Sequence, residues 1–415
     1  MNINSRNICI IYLFLYLSLL LGFYFNEDFS GGYLQDYRVH KNVASYFGVN
    51  FIETFLNYEK FELPHSPIFI TIFLILEKIS FNESFAKLIN LHFSLLIPYF
   101  FYLCLKIKYK FKITDIKIFI PTIIFFSPYF RSSSIWITEE NISLIFLSIC
   151  FYFFLKFEDS KKKKLSDIFL NILFLALAAY IRPIYSLFSI YFFVRYYFDL
   201  NFSYKLLFYI FINILLSFPA IYYAFVLDIN YWISYSLFVS GFITSFSIII
   251  VIFFFYSIPF LLPNIKQNFQ MSNFKFENLV FSIIFLFLLI FYFDYNIPYG
   301  GGIFFKLSIL IFGNNYLFYI FSLISLNVFI LIFFDSIKDK DTIFDLVLLL
   351  TLFLLDIDGV FYHETYDPLL YFIYFLLVKN RIYVNFTKKF TNKKFILLIL
   401  FSASFYVLST LKTIV

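Results

Sequence analysis

The sequence predicts an all-α, polytopic integral membrane protein, a single membrane domain over residues 1–415. Three observations predict it. Hydrophobic residues make up 62% of the chain and charged residues 14%, where soluble domains sit nearer one half and one quarter. The apolar residues come in long blocks between short polar segments, and roughly 20 apolar helical residues cross the hydrocarbon core. Lys and Arg gather in alternate polar segments, as they do in cytoplasmic loops.

The first block, Asn7 to Phe25, follows Arg6, and no small-x-small cleavage site comes after it. It reads as an uncleaved first span. Further spans are expected near 88–105, 117–130, 138–156, 166–181, 183–198, 205–227, 236–262, 278–293, 315–334, 343–356, 366–378 and 395–413. That makes about 13 transmembrane helices. Pro67 to Ile79 is apolar but holds too few residues to span, so it is expected as an interfacial or re-entrant helix.

Charge supports that choice. With the N-terminus cytoplasmic and 67–79 not spanning, about two-thirds of the 32 Lys and Arg fall on the cytoplasmic side. If 67–79 spanned, Lys161–Lys164 and the Lys388, Lys389, Lys393, Lys394 group would face outward. The C-terminus is then non-cytoplasmic. A bacterial inner membrane and the endoplasmic reticulum give the same signals. The net charge of +6 follows from the Lys-rich loops and implies no nucleic acid.

Cys9, Cys104 and Cys150 lie inside apolar runs without metal or disulfide spacing. The 69 Phe and 35 Tyr are a compositional bias that lipid tolerates as readily as Leu. No internal repeat is visible, and no pair of Gly/Pro-broken helices of the kind many transporters use.

The chemistry is expected on the non-cytoplasmic side, above all in the loop 26–87. Its periodic aromatics and aliphatics predict helices lying at the membrane interface. Asp36 and His40 are four apart and share a helix face. A carboxylate there suits a general base toward a sugar hydroxyl, and a solvated polar face is the plainer alternative. The other candidates on that side for binding substrate are Asp28, His65, Glu139, Glu140, Arg182, Asp358, His363, Glu364 and Asp367. Ionisable groups close to spanning segments are functional candidates by default. Arg131, beside Ser132-Ser133-Ser134, belongs with them, and Arg182 has the planar fork that grips a phosphate. Gly300-Gly301-Gly302 is either a phosphate-cradling turn or a plain flexible one. The His and carboxylates show no tight ligand spacing, so no metal and no cofactor are assigned.

These pieces resemble the GT-C superfamily of membrane glycosyltransferases. The resemblance runs through Gln35-Asp36-Tyr37-Arg38-Val39-His40, then His65-Ser66-Pro67-Ile68-Phe69 and Ala86-Lys87-Leu88-Ile89-Asn90-Leu91-His92. It continues through Ser127-Pro128-Tyr129 to Glu139-Glu140 and through Tyr180-Ile181-Arg182-Pro183. It covers about the first 200 residues in layout. Within the superfamily, Asp36-x-x-x-His40 with Tyr46 is reminiscent of the glucosyltransferases that add the terminal α-1,2-glucose to the dolichol-linked oligosaccharide. Those enzymes carry an adjacent acidic pair, which Tyr37 breaks here. Glu27-Asp28 is an intact pair nearer the first span, so Asp36 and Asp28 both stand as the catalytic carboxylate.

The resemblance implies an inverting sugar transfer at the non-cytoplasmic face, from a polyprenyl-phosphate-linked donor to a glycan or lipid-linked acceptor. Asp36 would be the general base, and the donor's phosphate would lie near Arg182 or the far-side basic residues. Two other classes fit a many-spanning chain: an O-antigen ligase or polymerase, and a transporter or flippase. A scaffold of the same fold without activity is a further one.

Overall fold

The computed structural model describes residues 5–29, 32–61, 63, 66–225, 239–264, 276–295, 300–337, 342–355 and 361–414. The chain divides into two compact units, Met1–Tyr231 with Phe390–Val415, and Trp232–Lys389. Among the described residues every regular element is helical. Among the described residues seven helices are long and apolar enough to cross a bilayer: Arg6–Tyr24, Glu83–Tyr109, Glu139–Asp159, Tyr204–Tyr222, Gly241–Leu261, Tyr316–Ile337 and Asn392–Thr410. An eighth follows if His363–Leu377 and Arg381–Lys388, bent by 83°, form one broken span. Among the same described residues five shorter apolar helices of 10–17 residues include Ile116–Phe126, Leu165–Ile181 and Ile343–Phe353. At 1.5 Å per residue these fall short of a core about 30 Å thick.

The surface carries the same signature. On α1 (Ser5–Tyr24) Leu13, Phe14, Leu17 and Leu21 are exposed, as are Phe211, Ile214 and Phe218 on α11 (Tyr204–Phe225). Apolar stripes of that extent are unstable against water and match lipid.

In the first unit the segment after α1 folds as α2 (Tyr33–Val49), α3 (Phe51–Leu56) and α4 (Pro67–Ile79). Helix α4 starts where Pro supplies a preset φ at its first position and ends before Ser80. Its 13 residues extend about 20 Å, less than a span. Phe69, Ile70 and Phe73 bury its inner face against Tyr37, Ala44 and Phe47 of α2. Helices α5 (Glu83–Ser94) and α6 (Leu96–Tyr109) follow, α5 capped by the Asn82 side chain on Phe85 N–H. Next come a buried 3₁₀ stretch, Ile116–Phe126, interrupted by Pro121, then α7 (Pro128–Trp136), α8 (Glu139–Asp159) and α9 (Leu165–Ile181). Pro121 lacks the N–H that an α-helix needs there.

A buried polar network ties α5, α7 and α8 together. Asn90 Nδ2 donates to the carbonyls of Ser133 (3.0 Å) and Ser134 (2.8 Å). Asn141 Nδ2 donates to Phe130 O and Ser134 Oγ, both at 2.8 Å. The serine run is therefore a scaffold. Between α7 and α8, Ile137 takes φ +51°, a left-handed conformation that β-branched residues avoid. Its buried side chain holds that turn in place. The turn sets the start of α8, where Glu139 and Glu140 sit.

In the second unit, packing centres on α12 (Val239–Leu261). The break before Arg381–Lys388 is held by buried Asp345. Its carboxylate accepts from Lys379 N–H at 2.9 Å and Asn380 N–H at 2.7 Å. Asp345→Ala leaves these buried amides without an acceptor and is expected to cost about 3 kcal/mol. Thermal unfolding in detergent measures it, and an unchanged midpoint contradicts this role for Asp345.

Candidate functional site

The end of α1 is anchored by an ion pair. Arg131 of α7 donates from Nε to Glu27 Oε1 at 2.9 Å and from Nη2 to Glu27 Oε2 at 2.8 Å. The same guanidinium donates to the Ser18 carbonyl at 2.9 Å. Tyr406 OH donates to Glu27 Oε1 at 2.8 Å, and its ring lies 5.0 Å from the guanidinium carbon. Trp136 Nε1 donates to the Glu27 carbonyl at 3.0 Å. Gly22 provides the space: a Cβ there would collide with the Glu27 carboxylate. Gly22→Val is expected to displace this pair and lower the unfolding midpoint by several degrees. An unchanged midpoint contradicts it. Arg131 is thus a structural group, held by a partner 104 residues away in sequence.

Glu27 being paired, the acids that remain are Asp28, Asp36, Glu139 and Glu140. Asp28 caps α2: its oxygens accept from Leu34 N–H at 3.1 Å and Tyr33 N–H at 3.4 Å. Asp36 stands one turn into α2. Lost hydration, followed by repulsion from Glu139, Glu140 and Asp28, pushes its pKa up to about 7. The residue keeps accessible surface, and Glu139, Glu140 and Asp28 all repel its charge. Glu139 and Glu140 are buried at the first turn of α8, where the helix dipole favours negative charge. Arg182, half-buried at the end of α9, interacts electrostatically with Glu140 and lies over the Tyr185 ring at 5.9 Å.

His40 shares the flank of α2 with Asp36 but turns inward. It is buried, with its ring edge-on to Phe69 at 4.8 Å, so packing dominates its surroundings. His65 and Asp358 lie outside the described residues. His363, Glu364 and Asp367 belong to the second unit. There His363 Nε2 accepts from Ile303 N–H at 3.0 Å, and Asp367 N–H donates to His363 O at 2.8 Å. Gly301 and Gly302 take φ +84° and +79°. Gly301 N–H donates to Phe361 O at 3.0 Å. The glycine turn's amides at 301 and 303 are therefore engaged within the unit, which leaves them out of a phosphate cradle. Among the described residues no three His, Cys, Asp or Glu converge as a metal-binding group.

The opposite flank of α2 faces a cavity of about 560 Å³, lined by Asp28, Arg38, Lys41, Glu83, Lys87 and Trp136 among others. Its volume falls in the range of small-ligand sites. Lys87 is buried, with its ammonium 4.0 Å from the Trp136 ring centre and 4.5 Å from that of Tyr37. Glu83 bridges Lys87 and Lys41, each at 2.7 Å. Asp36 is not among the lining residues. The sequence reading passed over this group, although Glu83 and Lys87 stand at the i, i+4 spacing of a helical ion pair. Comparison with known protein families, curated proteins and solved structures finds no match to this chain.

Proposed function

We propose that the chain is a membrane glycosyltransferase of GT-C type, with about 13 transmembrane helices, a cytoplasmic N-terminus and a non-cytoplasmic loop 26–87 that holds interfacial helices. It moves a sugar from a polyprenyl-phosphate-linked donor to a glycan or lipid-linked acceptor. The observation that carries the reading is Asp36, an accessible carboxylate in the loop helix α2 whose pKa lies near neutrality among three other acids. A general base works best when its pKa is near the operating pH. In the proposed step Asp36 takes the proton of the acceptor hydroxyl as that oxygen attacks the anomeric carbon. The bond from that carbon to the donor phosphate oxygen breaks, and the electron pair leaves on the phosphate. Attack opposite the leaving group inverts the anomeric centre.

The test is a transfer assay in membranes with a radiolabelled polyprenyl-phosphate hexose. Label moving into a larger lipid-linked or polymeric product supports the reading. Label crossing the bilayer on an unchanged lipid instead supports a flippase. The pH dependence is specific. The active form is ionised Asp36, so the rate rises with pH and reaches half its maximum near 7. Glu139→Gln removes a like charge and moves that limb to lower pH; a limb that stays in place contradicts the assignment. The effect on stability has the opposite sign. The folded-state pKa lies above the ordinary value of 3.8. Folding is therefore favoured by protonation as pH falls from about 7 towards 4, and that contribution is lost as pH rises through about 7.

A further inference from the structure

We infer that the cavity beside α2 is a binding site for a phosphate group, carried on a lipid or on a soluble sugar phosphate. The inference goes beyond the transferase reading and does not rest on it, since Asp36 does not line this cavity. Three cations line the cavity, Arg38, Lys41 and Lys87, against two carboxylates. One carboxylate, Asp28, faces the first backbone amides of α2. The other, Glu83, fixes both lysine ammoniums at the wall. Arg38 is exposed and, among the described residues, makes no hydrogen bond or ion pair. Its planar fork matches two phosphate oxygens at once. Lys87 is held between two aromatic rings, so its charge is placed before any ligand arrives.

The surroundings favour a lipid as carrier. Ile79, Phe81 and Phe85 are exposed around the turn that leads into Glu83 and Lys87. Tyr24 and Phe25 are exposed just before Asn26, another lining residue. Exposed aromatics of this kind sit well at a membrane interface, beside a pocket that takes the headgroup.

The experiment uses the full-length protein in phosphatidylcholine nanodiscs. Native mass spectrometry counts bound undecaprenyl monophosphate; inorganic phosphate and glucose 1-phosphate form the soluble arm. The wild type is expected to bind one monophosphate lipid. Arg38→Gln weakens that binding about tenfold, and Arg38→Gln with Lys41→Gln weakens it further. Arg6→Gln, at the far end of α1, leaves it unchanged. Both cavity substitutions are at accessible positions, and the Arg38→Gln variant alone decides the matter if the double variant unfolds. Soluble phosphates that bind with the same sensitivity to Arg38 identify a soluble ligand as the source. No binding of any probe, or equal binding by Arg38→Gln, overturns the inference. Binding that persists while no sugar is transferred sinks the transferase reading and leaves this site standing. Transfer that persists in a protein binding no phosphate here sinks the site alone.

Discussion

Asp36→Asn is expected to lower the rate of sugar transfer by about 10²- to 10⁴-fold without lowering the unfolding midpoint at neutral pH. Asn is close in shape and keeps an acceptor, but it cannot take a proton. Among the described residues Asp36 makes no side-chain hydrogen bond, and it retains accessible surface, so little structure depends on its charge. Its neighbours are acids, and removing its charge relieves repulsion. Asp28 gives the contrasting result. Its carboxylate caps α2, so Asp28→Ala is expected to cost about 1 kcal/mol of stability, with the transfer rate per folded molecule much less affected. The two variants together decide which carboxylate is the base. If Asp28→Ala abolishes transfer in a folded protein while Asp36→Asn does not, the assignment is reversed.

Arg131→Met is expected to destabilise the first unit by about 3–5 kcal/mol. The substitution leaves the Glu27 carboxylate, now 11% exposed, without its counter-charge. It also removes donors to Ser18 at the end of α1 and the cation beside Tyr406. Three separate stretches of chain, from α1, α7 and the C-terminal helix Asn392–Ile414, lose their common anchor. The double variant Glu27→Gln, Arg131→Met removes both charges and is expected to recover more than half of the loss, because no charge is left unpaired. Thermal unfolding of the three variants in detergent measures this. Equal destabilisation by the single and double variants contradicts the account of a charge pair.

The contrast between Arg131 and Asp36 explains what the sequence made legible. Both are ionisable groups near spanning segments, and both were reasonable candidates on that ground. What separates them is a partner 104 residues away, which no local spacing reveals. The helical class was legible because apolar blocks and interrupting charges are properties of the chain itself. Helix α4 was legible to its end residues, since Pro67 opens it and Ser80 follows its last apolar residue. The length of several other helices was less so. Leu165–Ile181 and Ile343–Phe353 are apolar throughout but end sooner than a full crossing, and backbone breaks such as the one held by Asp345 leave little compositional trace. The cavity was hidden for the same reason as the Arg131 pair. Arg38 and Lys41 come from α2, Lys87 from α5 and Trp136 from α7, so their union is a product of packing. Ser133 and Ser134, beside Arg131 in sequence, likewise form bonds that tie three helices together.

In the proposed mechanism Asp36 removes a proton during transfer of a lipid-linked sugar. The most direct test of that step is mass spectrometry of lipid-linked sugars in cells that lack the protein, carry the wild type, or carry Asp36→Asn at equal abundance. The account predicts that the polyprenyl-phosphate sugar accumulates and one glycosylated product disappears in the first and third strains alike, and that only the wild type restores the product. Identical lipid-linked sugar profiles in all three strains, or full restoration by Asp36→Asn, would contradict it.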